Sequence, residues 1–150
     1  MPTSFANHED DAIARAPEVE SIRAVTLVTA DMARAVRFYE ALGFRRLFGS
    51  SESSFTSFAV GAVNFLNLEA RPEAAVTEEK PRRWWGRVIF YVSDVDAFFE
   101  GAVGSGLSPE SPPRDAEWAE RYFHLTDPDG HELSFARPLP GSRRLAPGQP

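Results

Sequence analysis

The feature that most constrains this chain is an internal repeat. Ala24 aligns with Arg87, Asp31 with Asp94 and Gly43 with Gly106, all at an offset of 63 residues. Gly61 and Gly130, then Phe65 and Ser134, align at an offset of 69, so a slip of six residues falls inside a loop. A constant offset of this kind marks a duplicated supersecondary unit. Identity within the repeat is thin: between 24–44 and 87–107 only Val25/Val88, Asp31/Asp94 and Gly43/Gly106 coincide. What repeats is an order: apolar run, Asp, amphipathic helix, Gly, strands.

The elements follow from local chemistry. Residues 22–29 (IRAVTLVT) are rich in apolar and β-branched types and predict a strand. Asp31 then supplies an N-cap for a helix over 32–42. Met32, Ala35, Val36, Tyr39 and Leu42 fall on one face of that helix, and Gly43 stands where a left-handed C-terminal cap belongs. Strands over 44–49, 54–60 and 62–69 complete a βαβββ module. A polar segment from Arg71 to Arg83 has no periodicity and links the modules, the linker closing by residue 85. In the second module, 87–93 predicts a strand, Asp94 caps a helix that Gly106 ends, and Pro109, Pro112 and Pro113 mark a loop. A hairpin over 121–126 and 131–137 turns at Asp127-Pro128-Asp129-Gly130, the residue order of a type I turn. The class is therefore α+β, one domain over 21–139 with modules at 22–70 and 86–139. Residues 1–20 and 140–150 are expected to be disordered tails.

Composition closes off several functions. The chain has 150 residues, 43% of them hydrophobic with 12 Phe, enough for a sizeable core. No apolar run reaches membrane-spanning length, and the start lacks the apolar stretch of a signal peptide. With no Cys there are no disulfides, thiolate nucleophiles or Cys-based zinc sites, which fits a cytoplasmic protein. The net charge of −6, without a basic patch, argues against nucleic-acid binding. That charge keeps a small protein soluble and would also favour a cationic ligand.

The stretches TADMARAVRFYEALGF (29–44), VSDVDAFFEGAVGSGL (92–107) and FHLTDPDGHELSFARPL (123–139) resemble the vicinal-oxygen-chelate superfamily. That superfamily includes glyoxalases, fosfomycin-resistance proteins, extradiol dioxygenases and bleomycin-resistance proteins. The resemblance covers 22–139. It implies paired βαβββ modules curled into an open, cup-shaped mixed sheet, a ligand site within the cup, and a homodimer. It also implies four slots where family enzymes hold a divalent metal with His, Gln or Glu. Here those slots carry Ala24, Phe65, Arg87 and Ser134. Ala and Phe offer no donor atom, Arg is permanently cationic, and neutral Ser is a poor ligand alone. No metal and no cofactor is therefore expected. The three His residues do not change this: His8 lies in the tail, His131 beside the turn, and His124 on a strand whose facing is open.

Strand alternation places Thr26 and Val28 with Ala24 on the cup face. It also places there Arg87, Ile89 and Tyr91, then Phe65, Asn67 and Glu69, then Glu132 and Ser134. Arg87 has two readings: a clamp for a ligand carboxylate or phosphate, or a cation paired internally with Glu132 or Glu69. Trp118 with Arg121 resembles the Trp-x-x-Arg-x-Phe segment of bleomycin-resistance-like members, which also lack the metal. Trp84, Trp85 and Trp118 either stack on a flat, cationic ligand or seal a dimer interface or sheet edge. Asp31 and Asp94 are helix caps, and Tyr39 belongs to the core. The expected ligand-binding set is Arg87, Tyr91, Phe65, Trp85, Trp118, Ser134 and Glu132, taking a small organic ligand, with antibiotic sequestration the nearest analogue. No catalytic residue is assigned. Two other functions stay open. One is a metal-dependent enzyme built on His124, Glu132 and Glu69; the other is a non-catalytic partner-binding module with exposed aromatics and no closed pocket.

Overall fold

The protein is described by a computed structural model over residues 16–142, so the expected tails at 1–20 and 140–150 lie mostly outside the described residues. Module one runs β1 (Ala24–Thr29), α1 (Met32–Ala41), β2 (Arg46–Phe48), β3 (Phe55–Val60) and β4 (Asn64–Ala70). After a single 3-10 turn at Pro72–Ala74 the second module repeats the order. It runs β5 (Arg87–Tyr91), α2 (Val95–Gly104), β6 (Arg114–Asp115), β7 (Glu120–Thr126) and β8 (Glu132–Pro138). Both modules are βαβββ, as the repeat requires. Among the described residues no helix is long and apolar enough to cross a membrane.

Each helix starts where its Asp places it. The Asp31 carboxylate accepts the Arg34 N–H at 3.0 Å, and the Asp94 carboxylate accepts the Ala97 N–H at 3.0 Å. Each helix stops before a glycine in the left-handed region, Gly43 at φ 91° and Gly106 at φ 83°. Strand β2 is shorter than the expected 44–49. β6 begins at the first residue after Pro113, at the sheet edge, where the loss of proline N–H groups leaves no ladder bond unmade.

The strands form two four-stranded mixed sheets, in the orders β1-β4-β3-β2 and β5-β8-β7-β6. β1 pairs parallel with β4, and β5 parallel with β8, each with the crossover helix between. β1 and β5 each end their sheet, and no ladder joins the two sheets. Both sheets and both helices share one core, including Leu27, Tyr39, Phe58, Leu66, Phe123, Leu133 and Phe135. Across the module boundary Phe44 meets Phe90 edge-to-face at 5.2 Å. The Tyr39 hydroxyl donates to Asp127 at 2.6 Å, joining α1 to the turn between β7 and β8.

Candidate functional site

Strand alternation sorts the side chains onto two faces. On β1, Leu27 and Thr29 are buried against the helices while Ala24 and Thr26 face outward. On β5, Phe90 is buried while Arg87, Ile89 and Tyr91 face outward, the last two each 60% exposed. The outward face of β4 carries Phe65, Asn67 and Glu69, and that of β8 carries Glu132 and Ser134. On β7, Phe123 and Leu125 go to the core, so Tyr122, His124 and Thr126 take the outward face. In module one this face holds a neutral polar ladder: Asn67 donates to Thr26 at 3.2 Å and accepts from Ser57 at 2.7 Å.

The centre of module two's face is an ion pair. Arg87 lies opposite Glu132 in the β5–β8 register and donates to its carboxylate at 2.7 Å. The Trp84 indole donates to the other Glu132 oxygen at 2.7 Å. Arg87 also donates to His124 Nε2 at 3.3 Å, so that nitrogen accepts and the ring proton sits on Nδ1. His124 Nδ1 is buried with no hydrogen-bond partner among the described residues. Burial, and then the neighbouring Arg87 charge, push the His124 pKa below its ordinary value. Of the two readings of Arg87, pairing with Glu132 is the one the geometry shows. Glu69 bonds instead to Arg71 at 3.3 Å.

These residues do not suit a divalent metal. Two of the four family slots have no donor atom, and the third is a guanidinium already bonded to a carboxylate and a histidine. Ser134, the fourth, is buried opposite His124 in the β7–β8 register. The alternative set of His124, Glu132 and Glu69 does not assemble either, because Glu69 stands on the other sheet. Among the described residues no three of His, Cys, Asp or Glu gather closely enough to hold a metal ion.

The aromatic residues divide into two places. Phe65, Trp85 and Arg87 line a cavity of about 430 Å³ between the β1–β4 pair and β5, with Ala24 and Ile89 also in its wall. Trp85 is fixed there by its indole N–H, which donates to His131 Nδ1 at 2.9 Å, while His131 Nε2 donates to the Val28 carbonyl at 2.7 Å. Trp118 lies apart at the β6–β7 edge, 65% exposed and packed over Tyr122 at 5.4 Å. Tyr122 in turn meets the His124 ring at 5.0 Å and accepts from Arg114 at 2.7 Å. Next to Trp118, Ala119 holds φ 65°, a strained conformation for a side chain with a Cβ. Arg121 does not join Trp118 at a ligand face. It faces α2, bonded to Asp96 at 2.8 Å and to Asp115 at 2.9 Å. Those bonds raise its pKa and lower that of Asp96.

The expected ligand-binding set left out four contributors: Trp84 and His124, which the sequence offered in other roles, and Tyr122 and Arg23, which it missed. The last stacks on Phe65 at 4.4 Å. For His124 and Tyr122 the signal was present, since apolar Phe123 and Leu125 between them already fix the facing of β7.

A protein-family model described as the Glyoxalase/Bleomycin resistance protein/Dioxygenase superfamily matches residues 21–135. The uncharacterized protein Mb0911c of Mycobacterium bovis is 38% identical over 48 residues, covering 32% of this chain and 32% of that protein. The match thus spans about a third of that relative's length. Among solved structures, a glyoxalase/bleomycin resistance protein/dioxygenase from Nocardioides superposes with TM-score 0.64 at 26% identity, covering 89% of this chain and 91% of that one. A bleomycin-binding protein complexed with bleomycin superposes with TM-score 0.61 at 21% identity, covering 79% and 98%, and at that identity shares the fold alone.

Proposed function

The chain belongs to the glyoxalase/bleomycin resistance protein/dioxygenase superfamily, and from that premise we propose that it binds a small organic molecule without a metal ion. It would do so as a cytoplasmic homodimer, in the manner of an antibiotic-sequestering protein. The observation that carries this reading is the Arg87–Glu132 ion pair at 2.7 Å, whose cation takes one of the four slots where the resemblance implies a metal ligand. A guanidinium held there repels a divalent cation, and its carboxylate is already occupied by Arg87 and Trp84. Small-molecule binding is supported by the cavity of about 430 Å³, within the usual range for ligand sites and lined mainly by apolar side chains. The homodimer is supported by the large apolar side chains Ile89, Tyr91 and Trp118 of module two, each more than half exposed in the single chain. The solved bleomycin complex makes bleomycin a rational first ligand.

The test is a titration of tryptophan fluorescence with bleomycin on protein treated with a chelator, beside elemental analysis of the untreated protein. The reading expects under about a tenth of an equivalent of metal and a saturable signal that zinc, nickel or manganese leaves unchanged. Near-stoichiometric metal, or binding that appears only after metal is restored, overturns it. A flat titration in both conditions removes bleomycin as the ligand.

A further inference from the structure

We infer that the cavity between β1 and β5 takes an apolar molecule carrying one carboxylate, with Arg23 as the residue that reads its charge; this rests on the small-molecule reading above. The cavity walls come from the β1–β4 pair on one side and from β5 with the residue Trp85 before it on the other. Ala24, Val25 and Phe65 stand on one side, and Val88, Ile89 and Trp85 on the other. This lining binds an apolar body through contact area, with no directional demand.

The polar groups of the same cavity are two guanidiniums and one amide, Arg23, Arg87 and Asn64, with no carboxylate in the wall. Arg87 is neutralised by Glu132. Arg23 is different: its guanidinium lies over the Phe65 ring, 4.4 Å from the centroid, and donates to the Val63 carbonyl. Neither partner is an anion, and among the described residues no carboxylate is within ion-pair distance of Arg23. A guanidinium has five donors, so most of its capacity remains for an acceptor arriving from the cavity. Stacking on Phe65 holds the planar fork in place, which lowers the entropy lost when it captures a carboxylate. A cationic ligand would meet two guanidiniums here and be disfavoured, so a cationic antibiotic such as bleomycin is expected to bind outside this cavity and to leave an anionic occupant in place.

The test uses the full-length protein in chelator with two fluorescent probes of matched shape, anilinonaphthalene sulfonate and the uncharged N-phenylnaphthylamine. Trp85 lies in the cavity wall, so energy transfer from tryptophan reports occupancy. The sulfonate is expected to bind saturably, at one per chain and at least about tenfold more tightly than the neutral probe, corresponding to about 1.4 kcal/mol. Octanoate should displace it and octanol should not. Arg23→Gln, at an exposed position, should weaken the sulfonate about tenfold and leave the neutral probe unchanged. Ala24→Trp should fill the cavity and abolish both signals, with an unchanged thermal midpoint showing that each variant folds. Equal affinity for the two probes, or indifference to Arg23→Gln, overturns the anionic ligand while small-molecule binding without metal survives. Absence of saturable binding, or persistence of both signals in Ala24→Trp, overturns the cavity as the site. Binding that requires added zinc overturns this inference and the proposed function together.

Discussion

At the residue scale, the central feature of the outward face of module two is a paired cation. Arg87 is bonded to Glu132 and His124, and its side chain is 38% exposed, so water screens part of the attraction. Arg87→Ala should therefore cost only about 0.5 kcal/mol in urea denaturation, as for other partly exposed ion pairs. Its sharper consequence is at His124, whose pKa burial and Arg87 together hold below the ordinary 6.5. The folded value is depressed, so the stability from neutral His124 is fully present above about pH 6.5 and is lost as pH falls through the folded value. Removing Arg87 should raise the His124 pKa towards 6.5 and shrink that acid-side loss, as ring-proton titration by NMR would show. A His124 pKa indifferent to Arg87→Ala would mean that burial alone depresses it.

At the element scale, the repeat is enforced by paired local devices. Both helices are 10 residues long and both begin on an aspartate whose side chain accepts from the third residue on. Helices this short do not persist alone in water, so the caps and the buried faces act together. Asp31→Ala and Asp94→Ala should each cost about 1 kcal/mol, read as a lower urea midpoint at unchanged slope. A loss near zero for either would show that packing of that helix against its sheet suffices. The same repeat logic reached its limit at β6, where prolines leave two paired residues, and at β2, whose pairing with β3 carries a register shift.

At the scale of the whole molecule, the modules are joined by a polar clasp as well as by the core. The Asp127 carboxylate accepts the Tyr39 hydroxyl at 2.6 Å and the Asp129 and His131 N–H groups at 2.9 Å each. Burial raises the Asp127 pKa despite those bonds, and burial followed by the Asp127 charge raises that of Tyr39. Because the folded Asp127 value is raised, stability from this group is greatest below its unfolded pKa and is lost as pH rises through the folded one. Tyr39→Phe leaves a buried carboxylate oxygen without its donor and should cost about 1–3 kcal/mol at neutral pH. The penalty should shrink in acid, where Asp127 takes a proton, and paired urea melts at neutral and acid pH would measure it. An equal penalty at both would place the loss in packing of the Tyr39 ring.

The sequence by itself determined the duplicated βαβββ plan, the caps, the turn at Asp127–Gly130 and the outward sides of β1, β4, β5 and β8. Those features depend on neighbours a few residues away, on period-two alternation, or on a repeat offset that can be counted along the chain. It also gave the residue types, Ala24, Phe65, Arg87 and Ser134, at the four slots that the resemblance implies, because donor atoms belong to residue types. Only the tertiary structure decided how those residues were used. Arg87 could have met Glu69 or Glu132, and the β5–β8 register chose Glu132. His124 and Trp84 joined that pair through strand and linker placement, neither of which has a local signature. The separation of Trp118 from the cavity follows from the strand order that puts β6 at the edge opposite β5, and the placing of Arg23 over Phe65 follows from the β1–β4 pairing.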